Sequence, residues 1–480
     1  MSPANASRRQ FLRTLSVLTA AGTATPFAIN LAAMNSAIAA PASGYRAMIY
    51  LNMAGGNDCH NTVLATDPIS WASYNKYRDT TLADGTLSIA LAQTGLLPIA
   101  PSSVAAGSIN AGRTFALNPN LTGLQGLFAS KRAAVIANVG PMIAPITAAQ
   151  YMAHTVPVPQ NLFSHNSQSA TWQAFQGEGS QFGWGGRIGD LLGSGNSNAV
   201  FTVISASGNS VFLSGTSVVQ LQTGPAGIPA IDGLLKNNIP ASAVFTPYGG
   251  EKPDNTTAAL QKILTRSGHS DLFAQDIAAV NQRSITAQAQ MGQSLVPISA
   301  VGTPPIGNSL ASQLQIVMRI MASASALGVT RQIFYVNMGG FDTHDGEIVN
   351  HAKLMRELDD GVTYFDSSVA ALGLQNNVVL FSGSEFGRTF TSNGDGCDHG
   401  WGSHHFIVGG GVKGGDIYGR FPTLGVNNSD NVGAALLPQF SVDQFGATMA
   451  RWMGVPDSSL NDVFPNLANF GSARDLGFMG

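Results

Sequence analysis

The chain has 480 residues, which is enough for one large α/β domain or for two domains of ordinary size. Charged residues are 11% of the chain and the formal net charge is -3, whereas an average soluble protein has roughly 25% charged residues. This composition excludes the basic stripes that bind nucleic acid or anionic lipid, and it predicts a neutral, loop-rich exported protein.

The first residues resemble a twin-arginine (Tat) export leader. An Arg-Arg pair at positions 8 and 9 precedes Phe-Leu, and an apolar stretch without acidic residues continues to about Ile38. Cleavage after Ala39 fits the small-x-small rule, and no later run approaches the roughly 20 apolar residues of a membrane span. We therefore expect a signal peptide at 1–39 and a periplasmic or extracellular mature chain at 40–480, with no membrane span.

Short apolar runs typical of buried strands alternate with helical patterns. Helical spacing is clearest from Ile348 to Leu372, where apolar residues recur three and four positions apart, and a second pattern covers Leu310–Leu327. Strands that alternate with helices predict an α/β fold with a mostly parallel sheet flanked by helices. The predicted strands are Tyr45–Met53, Ala133–Val139, Val200–Ser205, Ile333–Met338, Val378–Phe381 and Phe406–Val408.

The tract from about 215 to 305 has a different character. It mixes Pro/Gly-rich loops with amphipathic stretches at Thr256–Thr265 and Leu272–Met291, and its one histidine is His269. We interpret it as a helical and loop insertion or cap outside the catalytic region.

Seven of the nine histidines fall in four clusters, and histidine concentrated in this way indicates a metal or catalytic site. The clusters contain His60; His165; His344 and His351; and His399, His404 and His405. Asp58 follows the first predicted strand, at the sheet edge where open α/β sheets bind ligands. The alternative for Asp58 is a Gly-Gly turn closed by an Asx residue.

Asp342 and His344 follow another predicted strand, and carboxylate with neutral imidazole is a ligand set that Zn²⁺ accepts. His351 lies on the apolar stripe of the next helix, where it is either a third ligand or a satisfied core histidine. Asp345 either joins the site or caps that helix.

Glu385 and Arg388 follow the strand Val378–Phe381, and they either serve the site or form an internal salt bridge on the turn. Neighbouring residues of a strand face opposite ways, so at most one of His404 and His405 points into a given site.

Several familiar signatures are missing or out of context. Gly409, Gly411 and Gly414 match a dinucleotide fingerprint, but no helix pattern follows to hold a pyrophosphate, so they predict a surface turn. The sequence has no Walker loop, His-Glu-x-x-His or Gly-x-Ser-x-Gly motif. Cys59 and Cys397 are the two cysteines, and they either pair or remain separate thiols.

Taken in order, the motifs resemble the bacterial domain-of-unknown-function 1501 family over nearly the whole mature chain. That family is similar to a distant branch of the alkaline-phosphatase/sulfatase superfamily, which implies a single domain with a mixed, mostly parallel sheet and one or two metal ions at its carboxyl edge. The motifs are GGND after the first strand, FSHNSQSATWQ (163–173), GWGGR (183–187), FDTHDGEIVNH (341–351), SEFGRT (384–389), NGDGCDHGWGSHH (393–405) and DQFGATMARWMGV (443–455).

The resemblance implies a metal site and a nucleophile. The implied metal ligands are Asp58, Asp342, His344 or His351, Glu385, and His399 or His404, with Asp359 as an acidic residue further along the same helix. Ser164 stands where a nucleophile is expected, and His165 and Arg388 would stabilise an anionic transition state. Phe386 replaces a histidine ligand of the superfamily, which favours one divalent ion, Zn or Ca. Ser164 also lacks the flanking sequence that marks sulfatases.

The function implied by this resemblance is metal-dependent hydrolysis of phosphate, sulfate or related esters outside the cytoplasm. The alternative is a non-catalytic exported binding or assembly protein that retains the scaffold. Fold transfers between such relatives better than function does.

Overall fold

The computed structural model describes residues 44–79, 88–225, 227–228, 262–266, 271–426 and 428–480. The predicted leader at 1–39 lies outside the described residues, as does much of the predicted insertion. The described strands are β1 Arg46–Met53, β2 Val63–Ala65, β3 Leu97–Ile99, β4 Phe115–Leu117, β5 Ala133–Gly140, β6 Val203–Ser205, β7 Leu221–Gln222, β8 Arg331–Met338, β9 Val378–Gly383, β10 Arg388–Ser392, β11 Cys397–His399, β12 Ser403–Gly409, β13 Ile417–Tyr418, β14 Asn431–Val432, β15 Ala435–Leu436 and β16 Phe440–Ser441.

The α-helices surround a central sheet. They are α1 Pro68–Arg78, α2 Thr122–Ala129, α3 Ala148–Met152, α4 His165–Ala174, α5 Trp184–Leu192, α6 Leu272–Ser294, α7 Ser309–Ala322, α8 Ala324–Leu327, α9 Glu347–Ala371, α10 Val442–Met453 and α11 Leu460–Val463. Short 3₁₀ turns connect several of them.

Within the described part of the chain the central sheet has nine strands, in the order β13-β5-β12-β9-β1-β8-β6-β7, with β16 also paired to β5. The pairs formed by β1 with β8 and β9, and by β6 with β7 and β8, are parallel, while β12 is antiparallel to both of its neighbours. The sheet is therefore mixed and mostly parallel, with one reversed strand.

The central strands are apolar over most of their length and almost entirely buried, because both faces of the sheet are covered by helices. One face packs against a core that includes Leu51, Val336 and Phe365 of α9, and the other packs against Tyr50, Phe381 and Trp184. This burial pattern is what the unbroken apolar runs of the sequence predict.

The prediction of an α/β fold with a mixed, mostly parallel sheet is confirmed. The predicted strand Tyr45–Met53 is observed as Arg46–Met53, and the helix predicted from Ile348 to Leu372 is observed as Glu347–Ala371. In the predicted insertion, α6 matches the amphipathic stretch that begins at Leu272. Contacts place Ser43–Gly480 in one compact unit. No helix among the described residues is long and apolar enough to cross a membrane.

Candidate metal centre

Three neighbouring parallel strands bring the polar motifs to one edge of the sheet. β1 is paired in parallel with both β8 and β9, so the residues that follow Met53, Met338 and Gly383 emerge side by side. These residues include Asp58, Asp342 and Glu385, at the carboxyl edge where open sheets form a crevice.

Three imidazoles surround the carboxylate of Asp342 in what we name the outer cluster: His165, Asp342, His344 and His399. The Nε2 atoms of His165, His344 and His399 lie 3.4, 3.2 and 3.3 Å from its oxygens. The Nε2 atoms of His344 and His399 are themselves only 2.9 Å apart. One ligand atom each from His165, Asp342 and His399 fit within 4.8 Å of one another, as ligands of a single ion do.

Each imidazole of the outer cluster has an oxygen atom beside its other nitrogen. The Nδ1 of His165 lies 2.9 Å from Glu385 Oε1, and that of His399 lies 2.7 Å from the carbonyl of Phe163. The Nδ1 of His344 lies 3.4 Å from Asp398 Oδ1. Because a carbonyl oxygen only accepts, Nδ1–H of His399 is the donor and its Nε2 keeps a lone pair. Metal-binding histidines are oriented in this way.

The donor set of the outer cluster therefore fits a divalent ion such as Zn²⁺. The Nε2 lone pair of His399, the other two Nε2 atoms and the Asp342 carboxylate face one another, and a cation satisfies all of them together. Burial lowers the pKa of His399, which favours the neutral ring that a metal requires.

Arg388 lies beneath Asp342 and has no exposed surface. Its guanidinium donates to Asp342 Oδ1, to the carbonyl of Gly56 at 2.8 Å and to that of Cys397 at 3.0 Å. Burial raises the pKa of Asp342, but the hydrogen bond and charge of Arg388 outweigh that effect and hold this pKa below its usual range. The structure thus differs from the expectation that Arg388 contacts a transition state, since its donors are used inside the protein.

Glu385 supports the outer cluster from below. Its Oε1 accepts from the backbone N–H of Gly55 at 2.8 Å and lies beside His165, while Oε2 is buried without a hydrogen-bond partner among the described residues. The ring of Phe386 stacks on His399 with the centroids 4.4 Å apart. An aromatic wall thus occupies the position where the superfamily resemblance implies a further ligand.

Ser164 is the N-cap residue of α4, and its side chain makes no capping hydrogen bond. The residue before it, Phe163, has a φ of 73°, which is unusual for a bulky side chain and costs about 1–3 kcal/mol. Its N–H is held by the side chain of Gln168 and its carbonyl by His399. Backbone held in such a conformation on both sides is typical of functional turns.

Asp58 is separate from the outer cluster. It belongs to a buried group, the inner cluster, that consists of Asp58, Arg78, Glu347 and Cys397. Asp58 and Arg78 form a salt bridge with no exposed surface on either side chain. Burial raises the pKa of Asp58, but the charge of Arg78 outweighs it and holds the pKa well below the usual range. Burial raises the pKa of Glu347 to about 8.

Other residues implied by the resemblance have structural partners. His351 Nε2 lies 3.1 Å from the amide oxygen of Asn57, and burial lowers the His351 pKa to about 4. His404 Nδ1 accepts from the backbone N–H of Asn138 at 3.0 Å. Asp359 accepts two N–H groups in the first turn of α2. The structure does not bring these three into the outer cluster.

Sequence reasoning missed Arg78 and Glu347. It assigned His165 to the transition state, and the structure places this side chain between Asp342 and Glu385. Glu347 lies in the same motif as Asp342, and this position in the sequence could have identified it. Nothing near Arg78 in the sequence indicates a buried partner. Cys59 and Cys397 are both buried and both unpaired, which matches the alternative of separate thiols.

Comparison with solved structures shows low-identity similarity over most of the chain. The chain is 11% identical to Ps i-CgsB, covering 89% of this chain and 77% of that one with a TM-score of 0.36. It is 9% identical to the lipoteichoic acid synthase LtaP from Listeria monocytogenes, covering 90% and 78% with a TM-score of 0.30. It is 11% identical to a mutant of alkaline phosphatase PafA, covering 73% of this chain and 64% of that one with a TM-score of 0.27. Such values assign no activity to this chain.

No curated protein matches the sequence. A family model with the description "Protein of unknown function (DUF1501)" matches residues 45–465, which is most of the chain and contains both clusters. The chain therefore belongs to the DUF1501 family.

Proposed function

We propose that this protein is an exported, metal-dependent hydrolase that cleaves phosphate, sulfate or related esters. The observation that carries the proposal is the outer cluster, in which three imidazoles with oxygen atoms beside Nδ1 direct Nε2 toward one carboxylate. Asp342, His165, His344 and His399 would hold a single divalent ion. Such an ion acts as a Lewis acid on an ester oxygen.

The chain's own residues supply the remaining parts of the reaction. Ser164 is the proposed nucleophile, since it begins α4 and its hydroxyl is not used as a cap. The positive end of the helix dipole favours the negative charge that develops on its Oγ and on the ester oxygens. Attack of Oγ, which loses its proton to water, forms the bond to phosphorus or sulfur while the ester oxygen takes a proton from water and leaves as the alcohol. A second water molecule then releases the acid from Ser164 and returns the proton to Oγ. Glu385 orients His165, and Arg388 orients Asp342.

Metal analysis of the natively purified protein tests the site directly. We expect about one divalent ion per chain, and about a tenth of an ion or less in His399→Asn. His154→Asn is the matched control, because His154 is an exposed histidine outside the outer cluster and Asn tolerates its φ of 54°. Equal metal content in the two variants would remove the outer cluster as the binding site.

Ester cleavage on a panel of phosphate and sulfate esters tests the chemistry. Ser164→Ala is expected to lower turnover by at least about 100-fold with little change in metal content. Unchanged turnover in this variant removes Ser164 as nucleophile. A metal-loaded wild-type protein that cleaves none of the esters favours the alternative of a non-catalytic exported binding protein.

A further inference from the structure

The inner cluster is a second convergence of ligand-type side chains, and it lies below the outer cluster. Asp58 follows β1, Glu347 begins α9, and Cys397 begins β11. One oxygen or sulfur atom from each lies within 4.8 Å of the others, and all three side chains are buried. Two carboxylates and a thiol are a ligand set that Zn²⁺ and softer divalent ions accept.

Arg78 supplies the positive charge in this cluster. Its guanidinium is bonded to Asp58 and lies 4.0 Å from Glu347 Oε1, and it has no exposed surface. Among the described residues two buried polar atoms, Glu347 Oε1 and Arg78 Nε, have no hydrogen-bond partner as long as both carboxyl groups are ionised. Burial and the neighbouring Asp58 carboxylate raise the pKa of Glu347 to about 8, so a proton between the two carboxyl groups is the other partner open to Glu347. An unpartnered carboxylate oxygen directed at a cation marks a site that a guanidinium satisfies only in part.

We propose that Asp58, Glu347 and Cys397 form a second cation site in which the Arg78 guanidinium is the resident cation. Replacement of Arg78 by a neutral side chain opens this position to a divalent ion. The inference does not depend on the hydrolase activity proposed for the outer cluster.

Glu347 also contacts the segments that carry the outer cluster. The hydroxyl of Thr343, between Asp342 and His344, donates to Glu347 Oε2 at 2.5 Å, and the thiol of Cys397 donates to the same oxygen at 3.2 Å. A guanidinium cannot dissociate from the protein as an ion does. The inner site is therefore permanently filled, and the wild-type protein is expected to bind metal only at the outer cluster.

The test is the stoichiometry of Cd²⁺ or Zn²⁺ in Arg78→Met. Met matches the unbranched stem of Arg but is shorter and has no charge, so it leaves the position of the guanidinium empty and Asp58 and Glu347 lose their cation. We expect the bound metal to rise from about one ion per chain in the wild type to about two in Arg78→Met. Added Cd²⁺ should also raise the melting temperature of Arg78→Met by several degrees more than that of the wild type.

Two variants separate this inference from the outer cluster. In a His399→Asn background, Arg78→Met is expected to raise the metal content from about zero to about one ion, whatever the outer cluster does. Arg132→Met is the matched control, because Arg132 forms an ion pair with Asp366 of α9 outside both clusters. It should gain no ion.

An Arg78→Met protein that binds no more metal than Arg132→Met overturns the inference. If Arg78→Met folds only when Cd²⁺ is present, that rescue supports it. If Cd²⁺ does not restore folding, the double variant Asp58→Asn/Arg78→Met shows whether the lost charge or the lost volume of Arg78 prevents folding. Folding of the double variant shows a charge pair without a cation site, and its failure shows that the volume of Arg78 is what matters, so either result overturns the inference.

Discussion

The aspartates of the outer and inner clusters each lie beside a fully buried arginine, but the two aspartates differ in exposure. The side chain of Asp342 is 46% exposed and has three imidazoles around it, whereas that of Asp58 is 0% exposed and has a carboxyl group and a thiol near it. The side chains of Arg388 and Arg78 are both 0% exposed. The two pairs therefore differ in the exposure of the aspartate and not in that of the arginine.

This difference separates binding from stability. A half-exposed carboxylate keeps part of its hydration and can exchange a partner with solvent, so Asp342 is suited to an ion or a substrate. A buried ion pair is costly to break, because removal of one charge leaves the other without compensation. We therefore expect substitutions in the outer cluster to affect metal binding and substitutions in the inner cluster to affect folding.

The largest expected effect is that of Asp58→Asn on stability. The change leaves the Arg78 charge buried without its partner, and we expect a loss of about 3–5 kcal/mol in the free energy of unfolding. Urea unfolding of the metal-free protein measures it. Asp366→Asn is the control, because its partner Arg132 is partly exposed, and it should cost about 1 kcal/mol or less. Similar losses in the two variants would mean that burial does not distinguish the pairs.

Asp342→Asn should show the reverse behaviour. The amide removes the central negative charge among the three imidazoles, and we expect metal affinity to fall by more than about 100-fold, beyond the range for supporting residues. Stability of the metal-free protein should fall by less than in Asp58→Asn, because Asp342 is half-exposed and the buried Arg388 keeps its hydrogen bonds to four backbone carbonyls. Metal titration followed by calorimetry measures the affinity, with the exposed Asp360→Asn as control. Unaltered affinity would contradict the assignment of Asp342 as the central ligand.

Glu385 is predicted to have a smaller effect than Asp342, since it touches the site through His165. Loss of a supporting carboxylate typically weakens metal binding by about 10–100-fold. Glu385→Gln keeps an oxygen that accepts from His165 and Gly55, so its loss of metal affinity should be about 10-fold or less. Glu385→Ala removes that oxygen, and its loss of metal affinity should be near 100-fold. A loss as large as that of Asp342→Asn would instead indicate that Glu385 is a direct ligand.

The sequence allowed the framework to be predicted because the apolar runs of β1, β8 and β9 and the spacing of α9 each identify their element. The family resemblance implied Asp342 with His344 or His351 and with His399 or His404, and in the structure Asp342, His344 and His399 lie together. The sequence also predicted Asp58 as a ligand of the same ion. The geometry does not support this grouping, because Asp58 lies in the inner cluster with Arg78.

The reason for this difference lies in side-chain partners that are distant in sequence. Nothing in the local pattern of α1 distinguishes Arg78 from an exposed basic residue at a helix end, and its partner is 20 positions away. Similarly, the bond between His165 and Glu385 spans 220 positions. Tertiary pairing of polar groups follows from packing, and local periodicity carries no information about it.

The last prediction uses Asp443 to show what Arg78 does for Asp58. Both carboxyl groups are buried, but Asp443 has no salt bridge among the described residues, and burial raises its pKa to about 7. Its closest partner is the backbone N–H of Asn466, 3.0 Å from Oδ1. A buried carboxyl group that forms no salt bridge thus titrates near neutral pH, although the charge of Arg187 lowers its pKa, whereas the pKa of Asp58 in its salt bridge with Arg78 lies well below the usual range.

A raised pKa in the folded state makes stability fall as pH rises. Between about pH 4 and about pH 7 the unfolded chain has released the Asp443 proton while the folded protein keeps it, so this group should lower stability by up to about 1.4 kcal/mol per pH unit. In Asp443→Asn the fall is absent, because the amide does not titrate and still accepts from Asn466. The quantity to measure is the difference in unfolding free energy between wild type and variant at about pH 4.5 and about pH 7.5. Asp462→Asn, at an exposed position, is the control. A difference that stays constant with pH would mean that Asp443 ionises in the folded protein without a salt bridge, and that the salt bridge to Arg78 does not explain the contrast with Asp58.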